Sequence, residues 1–288
     1  MGLIDLHMHT TASDGTDLPS EAVAKAASLG LEAIALTDHD TAAGVAEAAA
    51  AGKELGVEVV PGIEVSSDYR DNNIHILGYF IDPEAPALRT VLEWIRTERI
   101  ARNEYVVNLL ADDGFDISVE ELRRLYPEAV LGRPHMAELL MRKGYVSSVR
   151  EGFERYLGEG GKYYLPKRRI SMARAVETIL GSGGLAVLAH PLQYRYPRGE
   201  VTEMIEYAKS LGAAAIECFY SEHSAEDERW LLGMAERYGM GVSGGSDYHG
   251  TRKTHISMGS GTNGNLAIPY EVLERLKMLH RSSARPAR

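Results

Sequence analysis

Residues 3–15 read Leu-Ile-Asp-Leu-His-Met-His-Thr-Thr-Ala-Ser-Asp-Gly. An apolar run of strand length ends in two histidines one residue apart, His7 and His9, and Asp14 follows five residues later. In an extended segment, residues i and i+2 project to the same face, so His7 and His9 can grip one ion together. Asp247 and His249, within Gly245-Ser-Asp-Tyr-His249, repeat that spacing.

Outward from this run, short apolar stretches alternate with helical ones, the signature of βα units. Thr16 or Asp17 can cap a helix whose first turn carries Pro19 and Glu21; Gly30 ends it before a strand at Leu31–Leu36. A helix near 44–55, a strand at 57–60 and a strand near 74–80 follow, the last after a polar turn at 68–73. From about Ala87 to Gly161 only helical patterns are found, such as 88–110 and 134–143, with a turn at Asp112-Asp-Gly114. The βα rhythm then resumes with a helix at 172–180, a strand at 185–188, a helix near 201–211, a strand at 213–219, a helix ending near Tyr238 and a strand at 240–243. A closing helix runs from about 270 to 279, and the tail Arg281–Arg288 reads as a frayed end.

In parallel α/β folds, the loops leaving the C-terminal edges of the strands converge on one site. Here the second run ends in Thr37-Asp-His39-Asp40 and the third in Pro61-Gly-Ile-Glu64; the next carries His75, and later runs end in Ala189-His190-Pro191 and Asp247-Tyr-His249. Six of the ten histidines, His7, His9, His39, His75, His190 and His249, thus fall at or near strand ends, leaving His135, His223, His255 and His280 elsewhere. One such histidine alone reads as a half-buried, hydrogen-bonded core residue. Six imidazoles with the carboxylates of Asp14, Glu64 and Asp247 at one rim would leave anions unpaired unless cations join them. Nine ligands exceed one site, so two to three divalent ions are expected, with Glu64 bridging. An imidazole-rich set favours Zn, Mn or Fe over Ca or Mg.

Composition narrows the function classes. The 41 acidic against 31 basic residues give a net charge of -10, the wrong sign for sequence-independent binding along a nucleic-acid backbone. The one cysteine, Cys218 in Ala-Ile-Glu-Cys-Phe, excludes disulfide frameworks and cysteine-based zinc clusters within the chain and suits a reducing cytoplasm. No apolar run reaches transmembrane length, so a cytoplasmic chain without membrane or obligate protein partner is expected.

The run Asp5-Leu-His-Met-His9, with Asp14-Gly, Thr37-Asp-His39, Pro61-Gly-Ile-Glu64, His75, Ala189-His190-Pro191 and Ser246-Asp-Tyr-His249, resembles the motifs of the PHP (polymerase and histidinol phosphatase) family of metal-dependent phosphoesterases, in order, from residue 3 to about 250. The resemblance implies an α/β fold, a distorted (β/α)7 TIM-like barrel with a trinuclear centre. Its expected domains are barrel at 1–86 and 167–288 with a helical insertion at 87–166. By matching position, His7, His9, Glu64 and Asp247 would hold one ion; Asp14, His39 and His249 a second; His75, His190 and Glu64 a third. Gly132-Arg-Pro-His135 and Tyr164-Leu-Pro-Lys167 look like the branch containing nucleoside 3′,5′-bisphosphate phosphatases and a 5′ to 3′ exoribonuclease. The histidinol phosphatase branch fits less well.

The chemistry so implied is hydrolysis of a phosphomonoester. A water shared by two ions, its pKa lowered to about 7, supplies a hydroxide that attacks phosphorus in line. Arg133, Lys167 and Arg195 are candidates for gripping the phosphate, each against the reading of a solvated surface charge. Tyr194, Tyr196 and Tyr220 are candidates for base stacking but stay outside the expected site. Asp38 and Asp40 are expected to orient ligands or cap a helix, Cys218 to be a buried hydrophobe, and His135 to brace the insertion or act as leaving-group acid. The expected substrate is a small nucleotide, a nucleoside 3′,5′-bisphosphate or monophosphate. Competing readings are exonucleolytic trimming of short RNA, guided by Lys167-Arg168-Arg169 with Arg195 and Arg198, and a catalytically silent metal-binding module.

Overall fold

A computed structural model describes residues 2–126 and 131–283. The strands are β1 (Leu3–Met8), β2 (Leu31–Leu36), β3 (Glu58–Tyr69), β4 (Asn72–Tyr79), β5 (Ile170–Ser171), β6 (Leu185–Leu188), β7 (Ala215–Tyr220) and β8 (Gly241–Gly245). They lie in the order β1-β2-β3-β4-β6-β7-β8, with β5 beside β3 and Ile268–Pro269 antiparallel to β1. Between them run α1 (Pro19–Ser28), α2 (Val45–Leu55), α3 (Pro86–Asp112), α4 (Val119–Leu125), α5 (Arg133–Arg142), α6 (Val149–Gly152), α7 (Met172–Gly181), α8 (Arg198–Ser210), α9 (Ala225–Tyr238) and α10 (Glu271–Ser283).

The sheet nearly closes on itself. Just past β8, the Asp247 N–H donates to His7 O and the His9 N–H to Tyr248 O, each at 2.8 Å, joining the last barrel strand to the first. Gly245 permits the approach, because a Cβ there would lie 2.3 Å from both the Cβ and the backbone nitrogen of His7. Ile4, Leu6, Ala33, Ala35, Val60, Leu77, Tyr79, Leu185, Val187 and Ala215 share one buried cluster, capped by Leu273 and Leu276 of α10. Ile34 and Leu36, on the other face of β2, pack with Ala22, Val23 and Ala26 of α1 and Val45 and Ala48 of α2.

The end of β1 breaks the alternation in a way that serves the site. Ile4 and Leu6 belong to the barrel cluster, yet Met8 packs with α1 and α2. The register against β2 slips by one residue between Asp5, opposite Ile34, and Met8, opposite Leu36. A bulge of this kind switches which face successive side chains take, so His7 and His9 are turned to the side that Ile4 and Leu6 occupy lower down.

The chain divides into two compact units, Met1–Leu92 with Arg169–Arg288, and Glu93–Arg168. The first boundary falls inside the continuous helix α3, where sequence offers no break; residues 87–166 were expected for the insertion. The Glu93–Arg168 unit has its own core, including Val106, Leu110, Leu122, Met136, Leu140 and Leu157.

Three local expectations need correction. The strand expected at 57–60 runs on to Tyr69 and folds back into β4, and the turn is Arg70-Asp71, both at positive φ (50° and 65°), in place of a loop over 68–73. Because neither turn residue is glycine, the usual hairpin signal is missing. Neither Thr16 nor Asp17 caps α1: its N-cap is Leu18, whose N–H is met by Glu21 Oε2 at 2.9 Å, while Asp17 binds Lys25 and the Tyr248 hydroxyl. Residues 281–283 of the supposed frayed tail continue α10, and 284–288 lie outside the described residues.

Candidate metal centre

Each of the nine expected ligands can be traced to its element. β1 delivers His7 and His9, the loop after it Asp14, and the segment after β2 His39. Glu64 stands in the middle of β3, past a bridge that pairs it with His39. His75 lies near the start of β4, not near its end, because β4 runs antiparallel to both neighbours and its beginning therefore reaches the rim where the other strands finish. His190 follows β6, and Asp247 and His249 follow β8. His190 (φ 23°) and Asp247 (φ 58°) hold backbone conformations that cost non-glycine residues about 1–3 kcal/mol each, strain of the kind that gathers at functional sites.

The side chains converge. Glu64 Oε1 lies 2.9 Å from both His75 Nδ1 and His190 Nε2 and 3.4 Å from His7 Nε2; its Oε2 lies 3.0 Å from His39 Nδ1 and 3.2 Å from His9 Nε2. Asp247 Oδ1 approaches His9 Nε2 at 3.2 Å and His7 Nε2 at 3.6 Å, and Asp14 Oδ1 approaches His249 Nε2 at 3.3 Å. Four sets could each hold an ion, with donor atoms within 4.8 Å of one another: His9, Asp14, His39 and His249; His7, Glu64 and His190; His7, His9 and Asp247; His39, Glu64 and His75. The grouping differs from the expected one in placing His9 beside Asp14 and in bringing His39 to Glu64 and His75.

The donor set fits divalent ions on two counts. First, His7 Nε2, both ring nitrogens of His9, His39 Nδ1, Glu64 Oε2 and His190 Nδ1 are buried without a hydrogen-bond partner, which is costly for groups of this polarity. Glu64 Oε2 comes within 3.0 Å of His39 Nδ1 and 3.2 Å of His9 Nε2 without the alignment of a hydrogen bond, as donors arranged about a shared point do. Second, the electrostatics ask for cations. Burial alone would push the carboxyls of Glu64 and Asp247 up, yet the surrounding imidazoles, with Lys253 beside Asp247, hold both well below the usual carboxylate range. Burial likewise pulls His7 and His9 down, and the carboxylates around them reverse it, leaving His7 well above its usual value and His9 at about 9. His39 goes the other way: burial, helped by the like charges of His9 and His75, keeps it well below. The raised His7 and His9 favour the positive charge that a metal would otherwise bring to these carboxylates.

Around the cluster lies a layer of fixing contacts. Asp5, fully buried, accepts from the N–H groups of His7, Ser246 and Gly259 and from Ser246 Oγ. Asp38 accepts from Thr10 N–H and Oγ and from Ser13 Oγ, and Asp40 Oδ1 from Ser66 N–H. The hydroxyls of Tyr194, Tyr196 and Tyr220 are engaged in structure: Tyr194 donates to Ala189 O and accepts from His75 N–H, Tyr196 donates to Tyr69 O, and Tyr220 to Asp247 Oδ2 at 2.8 Å. Cys218 is buried, as expected. Two neighbours escaped the sequence reading. Glu217 on β7 is fully buried against His7 and the backbone of His190, and Lys253 Nζ lies 2.6 Å from Asp247 Oδ2. A lone glutamate in the apolar run Ala213–Tyr220 was the signal for the first; nothing in the sequence marks the second.

The three expected phosphate-binding cations stand apart in their surroundings. Arg195, exposed at φ 58° on the loop after His190, makes no ion pair among the described residues. Arg133 and Lys167 belong to the Glu93–Arg168 unit, where Arg133 Nη1 donates to Leu157 O and lies over the rings of Phe153 and Tyr164. His135, in the same unit, accepts from Gly132 N–H at the start of α5. Of the suggested basic strand guide, Arg168 pairs with Glu98, Arg169 with Asp68, and Arg198 with Glu226 and Asp227.

The PHP domain pattern matches residues 5–180. The chain is 36% identical over 251 residues to a 3′,5′-nucleoside bisphosphate phosphatase of Chromobacterium violaceum, covering 86% of this chain and 88% of that protein. It is 33% identical over 245 residues to a 5′-3′ exoribonuclease of Haemophilus influenzae, covering 85% and 89%. Among solved structures it is similar to an amidohydrolase of Chromobacterium violaceum with bound sulfate and no metal (TM-score 0.78, 32% identity, 96% of this chain and 97% of that one). It is also similar to a protein of Bifidobacterium adolescentis provisionally named a metal-dependent phosphoesterase (TM-score 0.76, 28% identity, 96% of each chain). The chain is a phosphoester hydrolase, and no helix among its described residues is long and apolar enough to cross a membrane. On this match of pattern, sequence and fold, it belongs to the PHP domain family.

Proposed function

We propose that the chain removes a phosphate from a small nucleotide, a nucleoside 3′,5′-bisphosphate or monophosphate, using two to three divalent ions held by His7, His9, Asp14, His39, Glu64, His75, His190, Asp247 and His249. The observation that carries the reading is the contact of five imidazoles with the one carboxylate of Glu64, with buried nitrogens left unpartnered. Mn, Zn or Fe suits a donor set so rich in imidazole. Bound there, such ions would supply Lewis acidity and the activation of water at neutral pH.

The chain's own residues do the rest. Glu64, touching imidazoles from β1, β4 and the segments after β2 and β6, is placed to be shared between ions. Asp14, whose side chain is 44% exposed, is the most open of the ligands and so marks the side from which a substrate would arrive. Tyr220 and Lys253 hold Asp247 Oδ2, leaving Oδ1 for His7, His9 and the ions. Arg195 is our candidate for the phosphate itself, with Arg133 and Lys167 proposed from the insertion.

The nucleotide substrate is favoured by the bisphosphate phosphatase relative, identical at more than a third of aligned positions. Trimming of short RNA from its 5′ end is the second reading, favoured by the exoribonuclease relative. It is weakened by the acidic partners of Arg168 and Arg198. A cytoplasmic setting is proposed from Cys218 being the one cysteine in the chain.

The test pairs elemental analysis of the purified protein with a phosphate-release screen over nucleoside bisphosphates, monophosphates, sugar phosphates, histidinol phosphate and 5′-phosphorylated oligonucleotides. Two to three transition-metal equivalents and preferred release from a nucleoside bisphosphate or monophosphate are expected. Shortening of the oligonucleotide with no release from small nucleotides would replace the first reading by the second.

A further inference from the structure

We propose that Glu217 is a positioning residue, one that decides which ring nitrogen His7 presents to the metal centre. The inference rests on the metal-centre reading above. Glu217 and His7 are both fully buried, and Glu217 Oε1 lies 2.8 Å from His7 Nδ1. Its Oε2 accepts the backbone N–H of His190, also at 2.8 Å. One carboxylate on β7 therefore grips a ligand ring from β1 and the backbone of a ligand following β6.

The chemistry follows from what a carboxylate can do. An ionised carboxylate only accepts, so the nitrogen facing it carries a proton. With the proton on Nδ1, Nε2 of a neutral His7 keeps its lone pair, and Nε2 is the atom 3.4 Å from Glu64 Oε1 and 3.6 Å from Asp247 Oδ1. Glu217 cannot turn away from His7 without giving up the buried His190 N–H, a loss that would leave a donor unsatisfied. The ring is held in one orientation and one tautomer, as carboxylates behind metal-bound histidines do.

Glu217→Gln keeps the volume and removes one acceptor. The His190 N–H still demands the amide oxygen, so the NH2 group faces His7 Nδ1, and the proton moves to Nε2, where a ligand's lone pair is needed. The expected result is a 10- to 100-fold loss of zinc affinity, roughly the size of such losses in other metal sites, read by zinc titration of metal-free wild type and variant. In 15N-histidine spectra of zinc-loaded wild type, His7 Nδ1 should carry the proton, a reading that does not depend on the variant folding. Unchanged zinc affinity in a folded variant, or a proton on His7 Nε2 in the loaded wild type, overturns the role of Glu217. Wild type that takes up no zinc, manganese or iron overturns the metal centre itself, a separate failure.

Discussion

Glu64 and His75 face each other diagonally across the β3–β4 hairpin, with Glu64 Oε1 2.9 Å from His75 Nδ1. In the ladder His75 stands opposite Ser66, and Glu64 is two residues before Ser66, hence on the same face. The antiparallel fold-back thus lets one hairpin supply both the central carboxylate and one of its imidazoles. Glu64→Ala takes away the only acidic group among the described residues that touches imidazoles from β1, β4 and the segments after β2 and β6. Phosphate release should fall by roughly 100-fold or more, with metal per chain falling in step by elemental analysis. Wild-type metal content in the variant would contradict the assignment of Glu64 as a shared ligand.

Tyr220→Phe isolates the support beneath Asp247. The Tyr220 hydroxyl is buried and donates to Asp247 Oδ2, so its removal should cost the metal-free protein about 1.5–3 kcal/mol, the range for hydrogen bonds to charged groups. Urea unfolding of the two metal-free proteins measures this directly. A midpoint equal to that of wild type would mean that Lys253 alone suffices to hold the carboxylate.

Arg195→Ala tests an exposed cation on the loop after His190 that makes no ion pair among the described residues. If it meets the phosphate, KM for a nucleoside phosphate should rise roughly 10-fold, equivalent to about 1.4 kcal/mol of binding, while metal per chain remains that of wild type. An unchanged KM returns Arg195 to the ordinary surface charges.

The convergence of the nine side chains was legible in the sequence because most of them lie where a strand ends at one rim, and the rule for parallel strands finds such positions without coordinates. His75 was found with the others, but the reason it belongs there is the reversed direction of β4, which no local pattern announces. The β3–β4 turn was placed within 68–73 but read too long, because Arg70-Asp71 lacks the glycine that marks two-residue hairpins, and its conformation is imposed by the pairing on either side. Glu217 was passed over beside Cys218, since a single charged residue in an apolar run has no partner until β1 and β6 are brought to it. Lys253 reaches Asp247 through a tertiary contact six residues on, where spacing carries no meaning.

Gly245→Ala probes closure of the barrel where β8 meets the first strand beside His7. The added Cβ meets the backbone nitrogen and Cβ of His7 at 2.3 Å, contacts with the main chain that no rotamer change relieves. Displacement of β8 from β1 should lower stability by about 1–3 kcal/mol or more and spoil the His7 position, so metal affinity and the thermal midpoint drop together. A variant with wild-type stability would show that β1 and β8 are free to move apart at this point.

The pH dependence of stability separates the metal-free from the metal-loaded protein. In the metal-free state Glu64 and Asp247 raise His9 from 6.5 to about 9, overcoming the effect of burial, and His7 is raised as well. A histidine whose folded pKa lies above its unfolded one binds more protons when folded, so it adds stability that is full below about pH 6.5 and is lost as the pH climbs through about 9. His39, depressed by burial, acts in the opposite sense but only below about pH 6.5, where the unfolded chain takes up a proton that the folded one refuses. Glu64, Asp247 and Asp14, all lowered, contribute above the unfolded carboxylate range and lose their share only in acid. Between about pH 6.5 and 9 the raised histidines therefore govern, and urea midpoints of the chelator-treated protein should fall across that interval. Divalent ions take the place of those protons, so the midpoint of the loaded protein should stay level or rise over the same interval as protons cease to compete for the ligands. Parallel curves for the two forms would mean that the ions and the protons do not share these imidazoles.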